Sequence, residues 1–477
     1  MTQEELNTLD FNVKSLGNCR VPSPLHLSKV VGDEVYDYVT DTVRILYDGS
    51  TNALSDYKQT NIPPISFEKA GPHEFLYFEP SKTKVAIVTA GGLCPGLNNV
   101  IRGLVMQLFR RYNVKNVIGI MFGLRGFISK YNLPYVELTP DIVDRIHLLG
   151  GSFLSSSRGP QPSEEIVDLL QRENINILFC IGGDGTLRAA QDISDEIERR
   201  GLKIAVGCVP KTIDNDISFI DKSFGFETAF SEASKICINA HNEAKGAYNG
   251  IAIVKLMGRD SGFIAANTTL STGDVNFVLV PEMKFDLYGE KGLINQIKQR
   301  LISRKHALII VAEGAGQFLF EHDENVERDD SGNVKYKDIG IYLKDKISEQ
   351  FNKEDFPHSI KYIDPSYIIR SAPANSNDSK FCNQLAQHAV HAAMAGKTAF
   401  VVGHWNGNFT ILPIRAAVKE RKKINLESEL WWSVLESTSQ PNRMLNDPNE
   451  SAEYKIASPT LKSTSTAKNE DKGENIK

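Results

Sequence analysis

Several classes of protein are excluded by what this chain has little of. Only six of its 477 residues are cysteine, and Cys19, Cys94, Cys180, Cys208, Cys237 and Cys382 form no C-x-x-C pair. Neither a zinc site nor a disulfide framework is expected. Cys180 and Cys208 sit inside apolar runs, where a reduced thiol acts as a small hydrophobe, and a cytoplasmic address is expected. A basic excess is also missing: the formal net charge is -5, which argues against nucleic acid as a partner. Long apolar runs are absent. The longest clean one, Ala307 to Ala312, is far too short to span a bilayer, so no membrane association is expected. Glu4 and Glu5, with no apolar stretch behind them, give no expectation of a secretory leader. The end Asn475-Ile476-Lys477 does not match the Ser-Lys-Leu peroxisomal address.

What remains is the composition of a soluble globular protein, 41% hydrophobic and 24% charged. The length exceeds one small core, so two domains with extensions are expected. Residues 1–83 show mixed composition, several prolines and no sustained period; they read as an N-terminal extension wrapped on the body. Order starts at Lys84-Val85-Ala86-Ile87-Val88-Thr89, a buried-strand pattern. A glycine turn follows, and then Leu97, Val100, Ile101, Leu104, Val105 and Leu108 line one face of a helix. The unit repeats: Ile175 to Ile181 reads as a strand, and a helix carries Leu187, Ala190, Ile193 and Ile197 up to Gly201. Ile204 to Val209 reads as a further strand. Strands alternating with helices imply a parallel sheet covered on both faces. Ligands on such sheets bind at the carboxyl ends of the strands. A second α/β run begins near Phe224, with strand candidates at Gly250 to Leu256, Val275 to Val280 and Ala307 to Ala312. Residues 441–477 carry few large apolar groups and read as a disordered tail.

Two turns carry the chemistry. Ile181-Gly182-Gly183-Asp184-Gly185-Thr186 and Pro210-Lys211-Thr212-Ile213-Asp214-Asn215-Asp216 each follow an apolar strand. Backbone N–H groups in a glycine turn hold phosphate with no bulky side chain in the way. A carboxylate beside that turn suits Mg²⁺, which prefers oxygen ligands shared with substrate phosphates. A second carboxylate can accept the proton of an attacking hydroxyl. A phosphoryl-transfer site is the leading reading.

Gly91-Gly92-x-x-Pro95-Gly96, Gly182 to Thr186, Pro210 to Asp216, Met257-Gly258-Arg259 and Tyr367-Ile368-Ile369-Arg370 occur in that order. Over roughly residues 84–420 this series resembles the 6-phosphofructokinases, and most nearly their longer ATP-dependent branch. The resemblance implies an α/β fold of two Rossmann-like three-layer αβα domains with mostly parallel sheets and the active site in the cleft between them. A nucleotide-binding domain is then expected over 84–225, rejoined by the chain at about 370–420. The fructose 6-phosphate domain falls over 226–369 and a C-terminal helical segment over 421–440. The implied reaction moves the γ-phosphoryl of ATP to the 1-hydroxyl of fructose 6-phosphate, with Mg²⁺ as cofactor, in glycolysis. A homotetramer under allosteric control is implied as well.

The same resemblance distributes roles. Asp214 matches the catalytic base, with Lys211 and Arg259 as further catalytic residues. Gly91, Arg158, Gly159, Gly183, Asp184, Gly185 and Thr186 match nucleotide-binding positions, and Asp184 the metal ligand, with Asp216 assisting. Thr212, Ile213, Asp214, Met257, Gly258, Arg259, Glu313, Tyr367, Ile368, Ile369 and Arg370 match the sugar-phosphate site. An arginine fork suits a phosphate because it binds two oxygens at once. Two departures stand out. Lys361 replaces a second phosphate-binding arginine of bacterial relatives, and Gly250 corresponds to the arginine those relatives lend to a neighbouring subunit.

Donor choice turns on Gly185 and Lys211. Pyrophosphate-dependent relatives carry aspartate at the first position and lysine at the second. Glycine at the sterically decisive position favours ATP. The alternatives are a pyrophosphate-dependent enzyme, a non-catalytic regulatory subunit, and a lipid or NAD kinase. Asp214 and Asp184 are both present, against the regulatory subunit, and the last families lack the Pro210–Asp216 and Met257–Arg259 elements.

Overall fold

A computed structural model of the chain describes residues 3–30, 32–52, 55, 63–320, 328 and 334–446. Within them two sheets organise the molecule. The first orders nine strands as Arg44–Leu46, Ser66–Lys69, Asn408–Pro413, Phe400–Trp405, Ala205–Pro210, Ile177–Gly182, Lys84–Thr89, Asn116–Ile120 and Tyr135–Glu137. The five from Phe400–Trp405 to Asn116–Ile120 run parallel, and the flanking strands are antiparallel. The second sheet is wholly parallel, in the order Phe277–Leu279, His306–Ala312, Gly250–Leu256 and Ser359–Ile363.

The central strands show why a parallel sheet forms. Val85, Ala86, Ile87 and Val88 have no exposed surface, so both faces are covered. Covering is done by amphipathic helices: Leu97–Tyr112 packs on Ser376–Met394, and Ser163–Arg172 on Asp184–Arg199. The helix Asp184–Arg199 ends as its sequence directs: Gly201 takes a φ of 67°, and the Gly201 and Leu202 N–H groups donate to Glu198 and Ile197.

The first 83 residues do more than wrap. Ser66–Lys69 pairs with Asn408–Pro413, and Arg44–Leu46 pairs with Ser66–Lys69, so the amino-terminal extension closes one side of the first sheet. Glu68 seals the join: its carboxylate accepts from Lys397 Nζ at 2.8 Å and from the Val13 N–H at 3.1 Å, with both ion-pair side chains under 10% exposed. Strands of three and four residues carry no detectable alternation, which is why the sequence reads as irregular there.

At the other end, the helix Glu429–Thr438 packs on Phe263–Thr272 beside the second sheet, burying Trp431. The tail expected from residue 441 needs correction. Met444 is fully buried, its carbonyl accepts from Asp286 N–H at 2.7 Å, and Asn446 N–H donates to the Asp286 carboxylate. One large apolar side chain is enough to anchor that stretch. The remainder of the expected tail, 447–477, lies outside the described residues. Among the described residues no helix is long and apolar enough to cross a membrane.

Candidate active site

A cleft of about 510 Å³ opens where the carboxyl ends of Lys84–Thr89, Ile177–Gly182 and Ala205–Pro210 converge. Its walls include Gly91, Arg158, Gly159, Gly183, Asp184, Gly185, Thr186, Lys211, Thr212, Ile213, Asp214 and Arg370. Residues scattered over 280 positions of sequence thus share one cavity because parallel strands all deliver their turns to the same side.

One side of the cleft is built from two cross-linked turns. Gly91 N–H donates to Ser157 O at 3.0 Å, and Ser156 Oγ donates to Gly91 O at 2.6 Å. This stitches the serine-rich loop to the glycine turn and puts Arg158 beside Gly92. Gly91 has a φ of 89°, which strains any residue with a side chain, and a Cβ there would come within 3.1 Å of Lys211 Nζ, which would have to shift by a few tenths of an ångström. Lys211 is 7% exposed; its ammonium donates to Gly92 O at 2.7 Å, and burial lowers its pKa. The helix Asp184–Arg199 begins at the cleft, so its unsatisfied N–H groups and dipole favour an anion there. A Cβ on Gly185 would meet nothing within 4 Å. That position faces open space.

Asp214 occupies the centre. Its Oδ1 is buried and accepts no hydrogen bond, while Oδ2 accepts from the Arg259 N–H at 3.4 Å. Burial first, then the charges of Asp216 and Glu313, push the Asp214 carboxyl up to about 7, with Arg370 opposing. A carboxyl that titrates near neutrality and keeps one oxygen unpartnered suits proton acceptance from a hydroxyl. The turn is held by its neighbours. Asn215 takes a φ of 56°, its Oδ1 accepts from Ser223 N–H at 2.9 Å, and Thr212 Oγ donates to Asp216 at 2.6 Å.

The residues expected to bind the sugar phosphate gather less tightly. Tyr367, 83% exposed, and Arg370 line an adjoining cavity with Arg125, Arg158 and the serine loop. Ile368 is exposed, whereas Ile369 is fully buried and anchors the short helix Ser366–Arg370, so its side chain does not reach a ligand. Met257 is also fully buried. The Arg259 guanidinium turns away from Asp214, bonding Val334 O and lying 4.4 Å from the Tyr336 ring centroid. Only its backbone touches Asp214. Glu313 sits close enough to Asp214 to raise it. Lys361 Nζ lies 3.9 Å from Glu243, and a Cβ on Gly250 would fall 2.1 Å from Ala244 O, which leaves no room for any longer residue.

Arg421 was missed by sequence reasoning. It enters the cleft from the segment after Ala417, in a run of lysines and glutamate that reads as a solvated face. Arg188, one helical turn from Asp184 and bonded to it at 3.2 Å, was legible from i,i+4 spacing and was also missed. For Mg²⁺, Asp184 and Asp216 supply hard oxygen donors at 19% and 9% side-chain exposure. Among the described residues no three carboxylate, histidine or cysteine groups form a complete cage. That donor set fits an ion that keeps water and phosphate as its other ligands.

A family model described as phosphofructokinase matches residues 84–393. The chain is 48% identical over 444 residues to the ATP-dependent 6-phosphofructokinase of Borreliella burgdorferi, covering 92% of this chain and 98% of that one. It is 43% identical over 437 residues to the protein of the same name from Amycolatopsis methanolica, covering 91% and 95%. Among solved structures, the pyrophosphate-dependent phosphofructokinase of Marinobacter aquaeolei superposes with a TM-score of 0.62 at 19% identity, over 75% of this chain and 91% of that one. The likeness to it is one of fold. With nearly the whole length shared at such identity, this chain belongs to the phosphofructokinase family.

Proposed function

We propose that the protein is an ATP-dependent 6-phosphofructokinase, transferring the γ-phosphoryl of ATP to the 1-hydroxyl of fructose 6-phosphate to give fructose 1,6-bisphosphate and ADP. The observation that carries this reading is Asp214: a half-buried carboxylate with one buried, unpartnered oxygen, opposite a glycine turn at a helix start. The sugar 1-hydroxyl gives its proton to Asp214 as its oxygen bonds to the γ-phosphorus, and the bond to the β-phosphate oxygen breaks. Such transfer asks mainly for positioning and charge neutralisation. Gly91, Gly183, Gly185 and Thr186 cradle the polyphosphate, and Arg158 and Lys211 place positive charge beside it. Tyr367 and Arg370 hold the 6-phosphate, and Glu313 accepts from sugar hydroxyls. Mg²⁺, held by Asp184 with help from Asp216, would shield phosphate charge.

ATP is favoured over pyrophosphate as donor by the open space in front of Gly185. Lys211 does not decide between the donors, because a cation in the cleft wall suits the phosphates of either. The family resemblance supports a homotetramer, allosteric control and a place in glycolysis. A cytoplasmic address rests on six free thiols. The test is direct: purified protein with fructose 6-phosphate and Mg²⁺, comparing ATP with pyrophosphate. Turnover with ATP is expected; turnover with pyrophosphate alone would reassign the donor, and none with either would reject the reading.

A further inference from the structure

Arg421 is held in place from several directions. Arg188 Nη2 donates to Val418 O at 2.5 Å, Ser218 Oγ to Glu420 O at 2.9 Å, and Lys422 N–H to Asp216 O at 2.9 Å. Lys422 Nζ donates to Ile220 O at 2.8 Å, and Ile424 N–H to Glu282 at 2.8 Å. The backbone around residue 421 is therefore pinned to both halves of the molecule. Its guanidinium, 27% exposed, meets three carboxylates. It hydrogen-bonds Asp260, and its other contacts are Asp184 at 3.7 Å and Asp216 at 3.8 Å. Asp260 in turn accepts from Tyr336 at 3.4 Å, the ring on which Arg259 lies.

We propose that Arg421 is a positioning residue for phosphoryl transfer: it is the counter-cation of Asp184 and Asp216, competes there with a divalent cation, and favours the polyphosphate of the donor. The inference rests on the phosphoryl-transfer reading of the cleft. Two cations cannot both lie fully against the same carboxylates, so the guanidinium lowers the affinity of the empty site for free metal. The same charge raises its affinity for a polyanion. Asp260 holds the guanidinium on the side of the Met257–Arg259 turn, so the fork spans donor and acceptor halves with one residue.

The two effects have opposite signs, and that makes the role testable. Arg421→Gln keeps a donor for Asp260 and removes the charge. At low salt, Mn²⁺ binding followed by electron paramagnetic resonance without nucleotide should tighten roughly three- to tenfold, the scale expected for one partly solvated charge near another. ATP binding followed by calorimetry in EDTA should weaken by a similar factor. Loss of both affinities, or no change in either, in a variant that melts like the parent would overturn the proposal. Arg421→Lys carries the test independently: it keeps the charge, so Mn²⁺ affinity should stay within about twofold of the parent. A lysine variant that binds Mn²⁺ several-fold tighter would show that charge is not the cause. Parent protein that binds no ATP at all would overturn the functional reading together with this one; parent that binds ATP while the variants fail to split would overturn this one alone.

Discussion

Replacing Gly185 with aspartate separates fold from function at a single position. A Cβ there meets nothing within 4 Å, and Gly185 is the second residue of the helix Asp184–Arg199 with an ordinary φ. The folded chain therefore accepts the side chain without displacement. A carboxylate in the first helical turn is favoured by the dipole by about 0.3–1 kcal/mol, and loss of a glycine removes freedom from the unfolded chain. The melting temperature should be unchanged or slightly higher. ATP meets a different balance. A carboxylate about 5 Å from a phosphate oxygen costs about 3 kcal/mol at an effective dielectric near 20, and the exposure of the site lowers this to about 1–3 kcal/mol. That is roughly a 5- to 150-fold fall in kcat/KM for ATP. The assay is steady-state turnover with ATP varied at saturating fructose 6-phosphate, beside a thermal melt. Wild-type kcat/KM in a variant that melts normally would refute the assignment of Gly185 to the nucleotide side.

Asp214→Asn should cut turnover about 10²–10⁴-fold; a fully active, folded variant would remove the base assignment. The same variant should be more stable than the parent at pH 8. Burial raises the Asp214 carboxyl to about 7 from an ordinary 3.8, so its contribution to stability is present below pH 4 and lost as pH rises toward 7. The asparagine advantage should thus grow across that window in paired melts, and a constant difference between pH 4 and 8 would contradict the shift. Arg370→Ala should raise KM for fructose 6-phosphate more than it lowers kcat, leaving KM for ATP nearly unchanged; an unaltered sugar KM would show that Arg370 holds no phosphate. Lys397→Ala leaves Glu68 buried without its cation and should destabilise the chain by about 3–5 kcal/mol in urea melts. A loss under 1 kcal/mol would mean that the amino-terminal join does not depend on the pair.

The α/β alternation was legible because each central strand is a continuous apolar run and each covering helix keeps a 3.6-residue period, signals that survive in a short window. The glycine turns were legible for the same reason, since a tight turn between strand and helix is a local event. Arg421 and Asp260 were not. Their proximity depends on a segment returning after the last strand of the first sheet, and Val418 to Lys423 carries the composition of any exposed loop. Side-chain direction was equally hidden. Met257-Gly258-Arg259 is a continuous motif, yet one of its side chains is buried, and another stacks on Tyr336, a contact made across 77 positions of sequence. The strands at 44–46 and 66–69 gave no signal because three or four residues hold too few alternations to tell from chance.

Closure of the first sheet by the amino-terminal extension imposes a wait on the growing chain. Glu68 finds Lys397 only 329 residues later, and Ser66–Lys69 has no sheet to join until Asn408–Pro413 has emerged. At a synthesis rate of about 5–20 residues per second, the earliest part of the protein stays unpaired for roughly 15 to 65 seconds. During that interval Phe67, which ends with no exposed surface, is presented to the surroundings on an open strand. The chain's beginning is thus among the last of its parts to be secured. Its native partner is absent until the ribosome has finished the strand it pairs with.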